Sequence, residues 1–185
     1  EPTPDLQPET ADGWDAGVDF RTPDGRGEIG VTVFDRDTEN LITFDFAVGG
    51  YSNIAIATSS GVELSASYAL NDWFGVGLDY AYIDAEDGNG DPLIRVPEHS
   101  GDITFLLDPA GPFSGSVAIR YNGEEQDSAD VLDAWTRVDV AGRYRLSEAI
   151  ELFARVENLF DEEYQQVLGY GTPGLSGYLG ARFRF

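Results

Sequence analysis

Cysteine is missing from this chain, and so is lysine. Without cysteine, disulfides and thiolate-ligated metals are excluded, and an oxidising compartment carries no risk. The 11 cationic side chains, all arginine, face 34 acids, for a formal charge of −23. That balance argues against nucleic acid, whose phosphates would be repelled rather than neutralised. Only one histidine is present, His99. No apolar run approaches the ~18 residues of a membrane-spanning helix, which excludes a helical membrane protein but not a barrel of strands. Each barrel strand needs only about 9–11 tilted residues, half of them polar. The first residue is Glu1, with no methionine and no signal-peptide pattern before it, so the chain is expected to be processed or cut from something longer.

What the chain does have is alternation. In "WDAGVDF", Trp14, Ala16, Val18 and Phe20 share one face, while Asp15, Gly17 and Asp19 share the other. The same two-sided pattern recurs in "GVELSASYAL", "WFGVGLDYAYI", "FSGSVAIRY", "TRVDVAGRYRL" and the last nine residues, "GYLGARFRF". Period-2 patterning predicts about nine strands, near 14–22, 27–35, 51–70, 73–84, 98–108, 113–122, 134–146, 150–158 and 177–185. Little reads as helix. The fold class is all-β, an antiparallel meander.

Alternation does not separate a soluble sheet with one wet face from a barrel in lipid. Connection lengths do. Those at 22–27, 70–73, 108–113 and 146–150 are turn-like, whereas 36–50, 84–98, 122–134 and 158–176 are roughly three times longer, so short and long alternate. Transmembrane barrels have tight turns at one end and long loops at the other. Aromatic residues at strand ends, among them Trp14, Tyr68, Trp73, Phe113, Tyr121, Trp135 and Tyr144, suit interfacial girdles. Core aromatics of a sandwich are the competing reading. With nine strands the first and last run the same way and cannot close an ordinary antiparallel barrel. Open edges in lipid would leave backbone groups unsatisfied, so the expectation is part of a larger transmembrane β-barrel.

The motifs then carry a resemblance. "VENLFDEEYQ" at Val156–Gln165, "GYGTPG" at Gly169–Gly174 and a final strand ending in Phe185 resemble the C-terminal signature of TonB-dependent outer-membrane receptors. "LQPET", "VFDRDTENLI", "NIAIATSSGVELSASYAL" and "IRVPEHS" resemble upstream family segments, in the family's order. Leu175 and Glu98 depart from it, since family members commonly carry arginine there. The resemblance implies a barrel of about 22 strands, of which residues 1–185 would be the C-terminal part, without the plug domain or the N-terminal segment that contacts TonB. It also implies a Gram-negative outer membrane, lipid and lipopolysaccharide around the barrel, and uptake of a scarce nutrient such as cobalamin or a ferric siderophore. Leu179, Ala181, Phe183 and Phe185 look like the signal read by the barrel-assembly machinery. No cofactor is expected.

Candidate ligand contacts at the long-loop end are Tyr51, Trp135, Tyr164, Leu168 and Tyr170, because aromatic and apolar tips can grip a flat macrocycle. Asp87, Asn89, Asp91 and Glu98 have the spacing of a calcium loop, although Pro92 replaces the usual glycine and Arg95 occupies a liganding position; a solvated acidic loop is the plainer reading. Glu124, Glu125, Asp127, Asp130 and Asp133 are expected to form a solvated face. His99 is expected to anchor a loop by hydrogen bonding rather than to bind metal. Serines lack a G-x-S-x-G elbow, and "GYGTPG" lacks the lysine and helix of a phosphate loop, so no enzyme is expected. The alternative class is a soluble or cell-surface β-sheet binding module that buries its apolar stripes between sheets.

Overall fold

The computed structural model describes residues 6–45, 47, 49–128 and 130–184. Nine strands form one antiparallel sheet: β1 (Thr10–Arg21), β2 (Gly27–Asp45), β3 (Gly50–Asn71), β4 (Phe74–Asp87), β5 (His99–Leu107), β6 (Phe113–Asn122), β9 (Trp135–Arg145), β10 (Ile150–Glu157) and β11 (Ser176–Phe183). Strands β7 (Glu125–Asp127) and β8 (Asp130–Leu132) make a small separate hairpin between β6 and β9. Each strand of the large sheet pairs with its neighbours in chain order, so the sheet is a pure meander with β1 and β11 at its edges.

The turns follow from local chemistry. At the β1–β2 turn, Gly25 takes a left-handed φ of 70°. There the Asp24 carboxylate accepts from the Thr22 hydroxyl at 2.5 Å and from the Arg26 N–H at 3.0 Å. Asn71 closes the β3–β4 turn by accepting from the Trp73 N–H at 3.0 Å. Short polar side chains that bond their own backbone two residues on are the physical content of these turn sequences.

One expected connection is corrected. Residues 36–45 continue β2, whose 19 residues pair with β3 as far as Asp45 and Gly50. The stretch "NLITF" is apolar and rich in β-branched residues, a composition that favours extended pairing. At about 3.3 Å per residue β2 is roughly 60 Å long, about twice the hydrocarbon thickness of a bilayer. Because β4 pairs with β3 only from Ala57 onward, the β2–β3 hairpin projects as an arm beyond its neighbours. The stretch 122–134 also differs from the expected open loop, since it holds the β7–β8 hairpin.

Register places whole rows of like chemistry together. Phe20, Ile29, Ala66, Leu78, Ile103, Ile119 and Val138 are successive cross-strand partners on one face. One residue along each strand lies the row Asp19, Gly30, Ser65, Asp79, Asp102, Arg120 and Arg137 on the other. The polar face is concave: Asp19, Glu63, Asp79, Asp102 and Arg120 line one depression of about 510 Å³. The apolar face is bare. Val18 is 73% exposed and Leu179 85%. Among the described residues every strand–strand contact is between meander neighbours, so no second layer covers that face. A soluble module would have to bury these stripes, and the fold does not.

Candidate functional site

At the end of the sheet where β4–β5, β6–β9 and β10–β11 connect, the chain gathers into a hydrogen-bonded knot. Asn158, immediately after β10, is almost wholly buried and adopts a left-handed φ of 53°. Asparagine tolerates that conformation better than most side chains. Its N–H donates to Asp139 Oδ1 at 2.9 Å, and its Oδ1 accepts from the Glu162 N–H at 2.8 Å. Its Nδ2 donates to the carbonyls of Glu162 at 2.9 Å and Pro173 at 3.3 Å. The side chain of this one residue thus ties the start of the β10–β11 connection to its own end, while its backbone N–H ties it to β9.

Asp139 continues the network along the polar wall. Arg137 Nη2 lies 3.0 Å from its carboxylate and Arg120 Nη1 lies 3.6 Å away. Arg137 Nη1 donates to the Tyr164 hydroxyl at 2.9 Å, and the Tyr164 ring packs on Trp135 with centroids 4.4 Å apart. The Thr172 hydroxyl donates to the Tyr164 carbonyl at 2.8 Å. Trp135 is therefore buried on the arginine face of β9, not in the apolar girdle where its position at a strand end placed it.

A second tie runs through Asp127. Its side chain is fully buried, accepting from Arg95 Nη2 at 3.0 Å and from the Leu168 N–H at 2.7 Å. Arg95 also donates its backbone N–H to the Gln126 carbonyl at 2.8 Å. Three connections meet on this carboxylate. The Arg95 hydrogen bond, followed by the Leu168 N–H, holds the Asp127 carboxyl below the usual carboxylate range despite burial. The expected solvated face is corrected here, because Glu125 and Asp127 are both buried. Glu125 Oε2 accepts from Asn122 Nδ2 at 3.3 Å, whereas Glu124, Asp130 and Asp133 are exposed.

The five expected ligand contacts divide into two groups. Trp135 and Tyr164 are packed on each other inside the knot. Leu168 and Tyr170 stand on a tight turn in which the Tyr170 N–H donates to the Val167 carbonyl at 3.0 Å, with Gly169 at a left-handed φ of 80°. Leu168 is 39% exposed and Tyr170 72%. Both border a depression of about 720 Å³ shared with Arg95, Asp127 and Thr172. Tyr51 is exposed on the projecting arm, its ring edge-on to Phe44 at 5.5 Å.

Asp87, Asn89 and Asp91 close a turn. Asp87 Oδ1 accepts from the backbone N–H of Asn89 at 2.8 Å and of Asp91 at 3.1 Å. Glu98 is engaged at the start of β5, its carbonyl accepting from the Ile83 N–H at 2.9 Å. Among the described residues no three of His, Cys, Asp or Glu converge to hold a metal ion. His99 Nδ1 shares a hydrogen bond with the Tyr80 hydroxyl at 2.8 Å, and its carbonyl accepts from the Gly123 N–H at 2.7 Å. On β11, Leu179, Ala181 and Phe183 are exposed on one face, and Phe185 lies outside the described residues. The sequence motif "VENLFDEEYQ" contains Asn158 but gives it no role of its own, and the sequence gives Asp127 the wrong environment. The only signal was that each sits at a turn, where a short polar side chain can satisfy loose backbone groups.

An antiparallel meander with one bare apolar face, one concave polar face and connections knotted at one end defines a wall of a transmembrane β-barrel. Residues 1–159 match the family model described as TonB dependent receptor-like, beta-barrel. The chain belongs to that family, whose members are Gram-negative outer-membrane proteins. It is 35% identical over 176 residues to the metal-pseudopaline receptor CntO of Pseudomonas aeruginosa, covering 87% of this chain and 25% of that protein. It is 28% identical over 192 residues to the vitamin B12 transporter BtuB of Vibrio cholerae, covering 97% of this chain and 30% of that one. Among solved structures, the copper transporter OprC superposes with a TM-score of 0.84 at 19% identity, covering 98% of this chain and 32% of that one. The ferric-catecholate import receptor Fiu of E. coli K12 superposes at 0.79 with 21% identity, covering 97% of this chain and 28% of that one. The chain spans between a quarter and a third of the length of these relatives.

Proposed function

We propose that this chain is the C-terminal wall of an outer-membrane receptor that captures a scarce nutrient at its loop end and admits it through the barrel. The observation that carries the reading is the uncovered apolar face opposite a concave charged one. Such a face needs hydrocarbon around it, so lipid solvates the outside and lipopolysaccharide meets the loop end. The remaining strands, the plug and the contact with TonB belong to parts of the receptor beyond this chain. Leu179, Ala181, Phe183 and Phe185 serve as the signal for barrel assembly. Leu168, Tyr170 and Tyr51 are the ligand contacts, while Trp135 and Tyr164 pack on each other within the knot. The nutrient is a metal chelate or cobalamin, a choice supported by relatives named for metal-pseudopaline and for vitamin B12. No covalent chemistry is required of the chain.

The test is the native protein that carries this segment, probed by antibody in outer-membrane and soluble fractions, with and without boiling. The expected result is a membrane-bound band several-fold heavier than the 20.1 kDa of this chain, shifting on heating. A soluble band of that small mass, indifferent to boiling, would overturn the receptor in favour of a β-sheet binding module.

A further inference from the structure

The turn that displays Leu168 and Tyr170 is closed on itself by the Tyr170 N–H bond to the Val167 carbonyl at 3.0 Å and the Gly169 N–H bond to Gln165 Oε1 at 2.9 Å. It stands within the 158–175 connection, and no strand of the large sheet pairs with it. Its one described tie to the neighbouring connections is the Leu168 N–H bond to Asp127 Oδ2. Asp127 in turn is fixed by Arg95, the only cationic side chain in the stretches 88–98, 123–134 and 158–175. Arg95 stands at a left-handed φ of 60°, unfavourable for a long side chain, and it is kept there by two bonds to the β7–β8 hairpin. A wholly buried carboxylate with a charged partner and a backbone donor is costly to disturb, since removing either partner leaves desolvated groups unpaired.

We propose that Asp127 is a positioning residue: through its bonds to Arg95 and Leu168 it latches three connections into one body and so holds the Leu168–Tyr170 turn in place. Asp127 is wholly buried where the three connections meet. The inference rests on the receptor reading for its purpose, because Leu168 and Tyr170 are the contacts to be held. The latch itself rests on geometry alone.

Backbone hydrogen exchange distinguishes the two, because an amide exchanges only when its hydrogen bond opens. The intact outer-membrane protein is compared as wild type, Asp127→Leu, Asp127→Asn and Arg95→Gln. In Asp127→Leu the Leu168 amide should exchange at least about tenfold faster, with β5, β6 and β9 unchanged. Asp127→Asn keeps an acceptor oxygen for that N–H and should restore much of the protection, a rescue that mere filling of space would not produce. Arg95→Gln removes the charged partner but leaves the Leu168 N–H its acceptor, and should loosen Leu168 to an intermediate degree. Unchanged exchange at Leu168 in Asp127→Leu overturns the latch. So does faster exchange spread evenly over the strands, or equal behaviour of the Leu and Asn variants. Binding of cyanocobalamin and of ferric pyoverdine to the wild type is measured alongside. If neither binds while the exchange pattern appears, the latch stands and the nutrient assignment fails; binding without the pattern does the reverse.

Discussion

The strand wall and the loop knot of this protein invert the usual relation between inside and outside. On the wall, Val18, Ile103, Leu179 and Phe183 are exposed and no layer packs over them. In the knot, the wholly buried side chains are Asn158 and Asp127, with Glu125 close behind. Apolar burial amounts to little, Ala57, Ala85, Leu132 and Trp135 being the buried hydrophobic residues among those described. A protein whose solvent is hydrocarbon on one side needs no oily centre. Its internal cohesion comes from strand hydrogen bonds and from polar networks that satisfy most of the groups they enclose, the buried Trp135 Nε1 and Arg137 Nε being left without a partner.

The contrast makes its largest prediction on the wall. Ile103→Arg on the bare face should cost about 2–4 kcal/mol of folding stability in a bilayer if that residue lies near the midplane. Thr104→Arg, one residue on and facing the concave side, should cost far less. Urea titration of both variants folded into vesicles measures the difference, and equal costs would remove the assignment of faces. In the knot, Asn158→Ala strips the side-chain bonds to Glu162 and Pro173, keeps the backbone N–H bond to Asp139, and leaves a left-handed backbone. The expected loss is about 3 kcal/mol by the usual cost of unpaired buried groups, seen as earlier release of the β10–β11 connection to protease.

Acid should act on the knot before the wall. The Asp127 carboxyl is held below its ordinary range in the folded protein by Arg95 and Leu168. A depressed acid contributes its full stabilisation above its unfolded value of about 3.9 and loses it as pH falls through the folded value. Protection at Leu168 should therefore be constant from neutral pH to about 4 and decline below that, after correction for the intrinsic pH dependence of exchange. Asp127→Asn should abolish the decline. The smallest effect belongs to Gly177 on β11, where an added Cβ would meet nothing within 4 Å. Gly177→Ala should change stability by less than about 0.5 kcal/mol. Gly61→Ala, whose Cβ would run into the Tyr82 carbonyl, should cost about 1–3 kcal/mol as overpacking does.

Much of this was legible in the residues, and for identifiable reasons. Successive side chains on a strand point to opposite faces, so Val18 against Asp19, or Leu179 against Arg182, announces both the strand and its two faces before any contact is known. Turns such as "TPDGRG" carry their closing groups within the turn itself, as Thr22 and Asp24 do. These are local facts, fixed by covalent neighbours. Residues 36–45 read as loop because the charges in "RDTEN" mask the β-forming stretch that follows.

The knot could not be foreseen in the same way. Asp127 lies 32 residues from Arg95 and 41 from Leu168, and nothing near it in the chain marks it off from Asp130 or Asp133. Whether an acid is solvated or buried depends on what other segments bring to it. That is settled only when register aligns β4, β6, β9 and β10 and their connections converge. The two-faced strands, their order and their turns were already determined by local chemistry, because alternation and turn closure act over a few bonds. Which polar side chains became the cohesive centre was decided by the assembled sheet, because a buried carboxylate is tolerable only where distant partners arrive together to satisfy it.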